Sequence, residues 1–534
     1  MCLMKRICDS LDNIPLAIEI AAGQLKRFAL ERILRAADTP LDLWQSKAQR
    51  KAGRQQTLRR TLDWSYDLLD PTSRQVLALL SVFSGPFAED QGLAVCAEQI
   101  EDEVDVLDSI EELIDSSFLS AHVEGKRRIS MLQTVQAFGR EKLKKAGLTR
   151  QVEHRHGQVM AARCRELGAR FAGERERDAA AAILADLSNI RSALERALPQ
   201  DLRLATAIVG PLFMFGYFHR GSETSAWPGQ IMARPGADAL PEAPMLLAAA
   251  AGHMFHDRGD PDAARALIDR GFVLEASGGK SSRGWLPHVA GQIAFWSREP
   301  AKFISCHLRA IAQARKEGDL ACEIIDMAMA ALVKARMGDL DGARALIEAL
   351  SRAEPLVSQP SLIGYIYFAK GGVTRFEDPE RAIEQLETSV EWAKIAGNLL
   401  GIQRINGMAS AIKAKQVPPE KALVNEIEAL MALPEHGATF YVWTCISRLL
   451  SLLFTLGADT QLAVIAGALQ GSPLKLGKTA QKSSERGRGW VPQHSIGRRR
   501  AGARSRFSKC AHTCWRWCKI WRFDEGPAIF RVRF

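Results

Sequence analysis

Apolar residues recur at helical spacing through most of the chain, and the interruptions divide it into segments. Over residues 7–36, Ile14, Ile18 and Ala21 form one stripe. Pro15 sits near a helix start, where its missing N–H costs nothing, so a helix pair is predicted. The polar stretch at 45–54 reads as a linker. Over 56–146 the predicted order is four helices, a hairpin and a last helix. Leu58, Leu62, Ser65/Tyr66 and Leu69 mark the first helix. Asp70 and Pro71 supply an N-cap and an N1 proline for the second, which carries Val76, Leu80 and Phe83. Residues 87–97 can form a short third helix, and Leu107, Ile110 and Ile114 stripe the fourth. Leu119, Ala121 and Val123 alternate, Glu124-Gly125-Lys126 turns, and Ile129 and Met131 alternate back. Helices followed by such a two-stranded wing predict a winged helix.

From about 150 to 470 nearly everything is helical pattern, and one turn-and-helix pattern recurs along it at an even period. Gly259-Asp-Pro-Asp-Ala-Ala-Arg-Ala-Leu267 returns as Gly338-Asp-Leu-Asp-Gly-Ala-Arg-Ala-Leu346. Related turns begin at Arg298, Glu377 and Pro419. Each unit has a small turn with an acidic cap, an alanine suited to a close helix crossing, and an apolar helix. The pattern looks like a tetratricopeptide-type array, whose units stack because none buries its apolar face alone. The segment 478–534 breaks this style. It holds 4 of the 11 tryptophans and 3 of the 10 cysteines, with no sustained period, and reads as a disordered or non-native tail.

Three segments, in this order, carry a family resemblance. They are Leu11-Asp-Asn-Ile-Pro-Leu-Ala-Ile-Glu-Ile-Ala-Ala22; Gln56-Thr-Leu-Arg-Arg-Thr-Leu-Asp-Trp-Ser-Tyr-Asp-Leu-Leu69 continuing to Phe87; and 113–119 with 131–143. Together they resemble the STAND class of signal-transduction ATPases, in particular bacterial regulators that join an ATPase core to helical repeats. The resemblance implies a remnant of the ATPase helical subdomain at 1–44, a winged helix at 55–147, helical repeats at 150–475 and a basic tail at 478–534. It also implies that the chain begins after the phosphate-binding loop, as a truncated regulator or one half of a split one. Pro15 takes by position the proline that contacts adenine in the family, although Asn13 replaces the usual glycine before it. The winged helix would be a conformational switch, and the repeats would sense a protein or peptide partner. ATP would enter only through an ATPase half supplied in trans, such as one encoded upstream, and no other cofactor is expected.

Composition narrows the functional classes. At 47% hydrophobic and 25% charged residues the chain is globular in type, and no stretch reaches the roughly 18 apolar residues of a membrane span. Neither a signal-peptide pattern nor a disulfide framework is evident, which predicts a cytoplasmic protein. The net charge of +10 comes from the tail: residues 478–534 hold 15 Lys/Arg against 3 Asp/Glu, and the rest of the chain is near neutral. Non-specific nucleic-acid binding is therefore expected of the tail alone.

Candidate chemistry is sparse. Gly471–Thr479 is one residue too long for a Walker A loop, and Gly278-Gly-Lys-Ser281 lacks its first glycine, so no ATPase activity is expected and any nucleotide binding would rest on Gly477-Lys478-Thr479. The segment 101–117, which would enter a major groove, carries eight carboxylates and no Lys or Arg, so phosphates would repel it. Lys126, Arg127 and Arg128 on the wing are the candidates for a DNA-reading alternative. His253 and His256, with Asp257 and Asp260 nearby, could share a helix face; His154 and His156 could not. Cys510, Cys514, Cys518 and His512 do not match a structural zinc spacing. No residue is assigned as catalytic or as a metal ligand.

Overall fold

In a computed structural model, the described residues are 58–122, 127–219, 222–297, 299–413 and 418–431, with parts of 4–25 and of 446–461. The chain forms two compact units, residues 1–166 with 181–208, and residues 167–180 with 209–534. Residues 150–166 and 181–208 of the helical region fall in the first unit.

The first unit begins with α1 (Pro15–Gly23). A helix at 58–67 (α2) leads to α3 (Pro71–Leu80), started as the sequence predicts: the Asp70 carboxylate accepts from Thr72 N (2.8 Å) and Ser73 N (3.0 Å). Strand β1 (Phe87–Ala88), α4 (Glu89–Cys96), α5 (Glu103–Asp115), β2 (Ser120–His122), β3 (Arg128–Ser130) and α6 (Gln133–Lys145) follow. The sheet has three strands in the order β1-β3-β2, all antiparallel, with Ile129 facing both Phe87 and Ala121. A short strand in place of the predicted helix start sets Phe87 opposite Ile129 and lets its ring stack on Phe83 at 4.1 Å, where it is buried.

Helices α7 (Thr149–Phe171), α8 (Glu176–Ala197) and α9 (Leu202–Val209) complete this unit as far as 166 and from 181. From α8, Asn189 Oδ1 accepts from Ser84 N (2.8 Å) and Gly85 N (2.9 Å), and its amide donates to Pro86 O (3.0 Å). The fully buried Asp186 accepts from Arg128 (2.7 Å), Arg163 (3.0 Å) and Gln91 (3.2 Å). These bonds satisfy loop N–H groups and charges that burial would otherwise penalise.

The second unit carries the repeats. After a 3-10 turn at Gly210–Leu212 come α10 (Phe213–Phe218), α11 (Trp227–Met232) and then, among the described residues as far as 431, ten helices. In chain order these are α12 (Ala243–His256), α13 (Pro261–Ala276), α14 (Trp285–Trp296), α15 (Pro300–Glu317), α16 (Leu320–Arg336), α17 (Leu340–Ala353), α18 (Pro360–Thr374), α19 (Pro379–Ala396), α20 (Leu399–Lys413) and α21 (Pro419–Met431). They pair, and the second helices begin in even steps at Pro261, Pro300, Leu340, Pro379 and Pro419. This is the predicted mainly α, tetratricopeptide-like solenoid. Asp260, Asp339 and Asp378 cap the N–H groups of Ala263, Gly342 and Arg381 at 2.9–3.0 Å, and Gly259 and Gly338 take the left-handed backbone that the turns need. One turn into the same helices, Ala264, Ala343, Ala382 and Ala422 are buried at the crossings, and Phe303 serves the second pair in the same way.

The first helices of the first four pairs are buried on most sides, α18 above all, so they lack the amphipathic stripe of α17. Part of their cover comes from α10. Tyr217 of α10 lies 5.2 Å from Trp285 of α14, and Phe218 lies 6.0 Å from Tyr365 of α18, ring centre to ring centre. Among the described residues no single helix is long and apolar enough to cross a membrane. The Gly477–Thr479 loop and the 478–534 tail lie outside the described residues.

Candidate site in the helical repeats

The second unit holds a small pocket beside a buried polar cluster. Gly216, Tyr217 and Ser225 line it on one side, α12 supplies Ala248, Ala249, Gly252 and His253, and α14 supplies Trp285, His288 and Val289. Its volume is about 50 Å³. A water needs roughly 10–15 Å³ on that measure, so the space suits a few waters or one inserted side chain rather than a nucleotide. Most of the lining is apolar and buried, while Met245, Ala249 and His253 keep partial exposure.

A hydrogen-bonded chain runs inward from the pocket. Tyr217 Oη stands 3.3 Å from His288 Nε2, and the Gln292 amide stands 2.7 Å from the same nitrogen. His256 Nε2 meets the other side of Gln292. On its far side His288 Nδ1 lies 3.0 Å from Asp326 Oδ2, and His307 Nδ1 meets Asp326 Oδ1. Cys322 Sγ, one turn before Asp326 on α16, donates to Oδ2 at 3.3 Å. Cys322, His307 and Asp326 are fully buried and His288 nearly so. Burial opposes ionisation of Asp326, yet the two imidazoles hold its carboxyl below the usual carboxylate range. Burial pushes the His307 imidazole down and the Cys322 thiol well up. Gly291 makes room for the His307 ring, since a Cβ there would stand 2.7 Å from Nε2.

Ser225, His253 and Asp257 also meet, but not as a nucleophilic triad. Ser225 Oγ reaches His253 Nδ1 (3.2 Å) and Asp257 Oδ2 (2.9 Å), while Asp257 Oδ2 binds the same Nδ1 (2.8 Å). A relay needs serine and carboxylate on opposite ring nitrogens. His253 and His256, paired by spacing in the sequence, therefore have separate partners. His154 and His156 diverge as expected. His154 bonds to Gln158, whereas His156 is buried edge-on against Phe83 with its pKa pushed down to about 3 by that burial.

The other sequence candidates stand apart. Pro15 opens α1, and Asn13 lies outside the described residues. Lys126 is likewise outside them. Arg127 pairs with Glu89 (3.2 Å) and Glu111 (2.5 Å), and Arg128 with Asp186, so both wing arginines are already engaged. Lys280 of the Gly278–Ser281 turn pairs with Glu242 at 2.9 Å. The His288–His307–Asp326 cluster escapes sequence reading, because its members lie on three separate helices and no motif joins them. Cys322 and Asp326, i and i+4 on one helix, are its only local signal.

No protein-family model matches the chain. Over 142 residues it is 36% identical to "Putative HTH-type transcriptional regulator Rv0890c" of Mycobacterium tuberculosis, a stretch covering 26% of this chain and 16% of that protein. Over 143 residues it is 33% identical to "Uncharacterized protein Rv0894" of the same organism, covering 26% of this chain and 36% of that one. The aligned stretches thus span well under half of either relative. Among solved structures, it is similar to a STAND protein with a tetratricopeptide repeat sensor from Pyrococcus horikoshii, at 12% identity and a TM-score of 0.42, over 89% of this chain and 72% of that one.

Proposed function

We propose that this chain is a regulatory scaffold of STAND type that acts by binding rather than by catalysis. Its repeats receive a protein or peptide partner, which inserts one apolar side chain into the pocket between α12 and α14. The module at 58–145, read as a winged helix, serves as a conformational switch. Nucleotide would act only through an ATPase partner. The observation that carries the reading is the pocket itself: apolar, small, and set in a repeat array whose pairs otherwise bury their first helices. Solenoids of this kind offer extended surfaces for partners.

A second reading, a transcription factor that reads DNA through the same module, is favoured by the likeness to a putative HTH-type transcriptional regulator of Mycobacterium tuberculosis. Three observations weigh against it: the acidic α5, the ion-paired Arg127, and Arg128 committed to a buried carboxylate. Selection from a random duplex pool at about 150 mM salt, with the chain ended at Gly477 to remove the basic tail, should enrich no sequence. An enriched motif whose affinity falls in Arg127→Gln or Arg128→Gln would establish the DNA reader instead.

A further inference from the structure

We propose that His288, His307, Cys322 and Asp326 form a structural zinc site that pins α14, α15 and α16 together. The ligand atoms of the two histidines and the aspartate lie within 4.8 Å of one another, and the Cys322 sulfur stands 3.3 Å from the same carboxylate. Zinc takes four nitrogen, sulfur and oxygen ligands in a tetrahedron, with bonds of about 2.0–2.3 Å, which sets its ligands roughly 3.3–3.7 Å apart. His288 Nδ1 and Cys322 Sγ, at 3.0 and 3.3 Å from the same Asp326 oxygen, already stand close to that spacing, and His307 Nδ1 has to draw back from the carboxylate to admit the ion.

Charge points the same way. Asp326 is fully buried, and the groups paired with it among the described residues are His288, His307 and Cys322, none of them a Lys or Arg. Without a metal the counter-charge open to that carboxylate is a buried imidazolium, and a buried ion pair is itself costly to desolvate. A divalent ion with one carboxylate, one thiolate and two neutral imidazoles leaves the centre with no net charge. The donor set selects the metal, because a thiolate and two imidazoles suit zinc and not magnesium or calcium. All four positions are filled by protein, which is the pattern of a structural rather than a catalytic site.

Binding balances as follows. The Cys322 thiol releases one proton to solvent. Each imidazole stays neutral, freeing Nδ1 for the metal by carrying its hydrogen on Nε2. For His288 that hydrogen meets Tyr217 Oη, or the Gln292 oxygen once that amide is turned over. Such an outer partner fixes the ring of a ligating histidine.

The test uses the full chain with Cys510, Cys514 and Cys518 replaced by serine, so that the tail thiols cannot bind the ion. Cobalt(II) chloride is titrated in, followed by displacement with zinc chloride. One equivalent of cobalt is expected, with visible bands of tetrahedral intensity and a near-ultraviolet thiolate-to-cobalt band. Cys322→Ser should abolish the thiolate band, and His307→Gln should weaken zinc binding by at least about 100-fold, more than the loss of an outer partner costs. Zinc should also raise the melting temperature of the parent chain. The unsubstituted cluster decides the matter even where a variant fails to fold. No bound equivalent, or a bound ion with no thiolate band, overturns the proposal and leaves the cluster a hydrogen-bonded polar core.

Discussion

Replacing Trp285 with alanine should cost about 3–5 kcal/mol of stability, the range for removing a large aromatic from a packed core. Trp285 is almost fully buried and forms one wall of the pocket. Its ring meets Phe213, Tyr217 and His288 edge-on at 4.7, 5.2 and 5.1 Å, and its Nε1–H donates to Asp319 Oδ2 at 3.2 Å. Neighbours on α10 and α14 lose a common partner at once, and Asp319, which also caps α16 through Cys322 N, loses a donor. Denaturant unfolding followed by far-ultraviolet circular dichroism reads the loss. A change below about 1 kcal/mol would mean that this wall is loosely packed, and the pocket would not be preformed.

The second large effect depends on pH. Glu176 is buried and accepts from Ser361 N at 2.8 Å, while its other oxygen has no partner. Burial raises its pKa to about 7 from an ordinary value of 4.5. Below 4.5 the folded and unfolded chains are both protonated here. As pH rises, the unfolded chain releases this proton first, so stability falls until the folded pKa is passed. At about 1.4 kcal/mol per unit, the full loss is about 3 kcal/mol by about pH 8. Glu176→Gln keeps an oxygen for Ser361 and removes the titration. It should therefore be more stable than the parent by about that amount at about pH 8, with the advantage shrinking toward zero near the ordinary carboxyl pKa. Equal unfolding midpoints at both pH values would show that Glu176 is solvated in the folded chain.

Much of the fold was legible because its signals are local. The acidic cap and the crossing alanine recur close together in α13, α17 and α19, with a turn glycine before the first two, and each has a direct backbone or packing cause. The start of α3 at Asp70-Pro71 was readable for the same reason. Strand β1 was not, since so short a strand gives no period and only pairing with Ile129 makes it one. Burial of the first repeat helices by Tyr217 and Phe218 also escaped, because contact between distant parts of the chain leaves no mark on spacing. The polar cluster was hidden in the same way, since His288, His307 and Asp326 lie on three separate helices. The pairing of Arg128 on the wing with Asp186, far along the chain, likewise leaves no mark on spacing.

The central claim is that the repeats bind a partner through the pocket between α12 and α14. A displayed random-peptide library panned against the chain ended at Gly477 tests it most directly, with each enriched peptide then measured on Ala249→Trp, which fills the pocket. The account predicts peptides sharing one apolar anchor, bound at least about tenfold more weakly by the filled variant, as loss of a buried anchor of about 1.4 kcal/mol or more requires. Peptides that bind both proteins equally, or no enrichment at all, would contradict it.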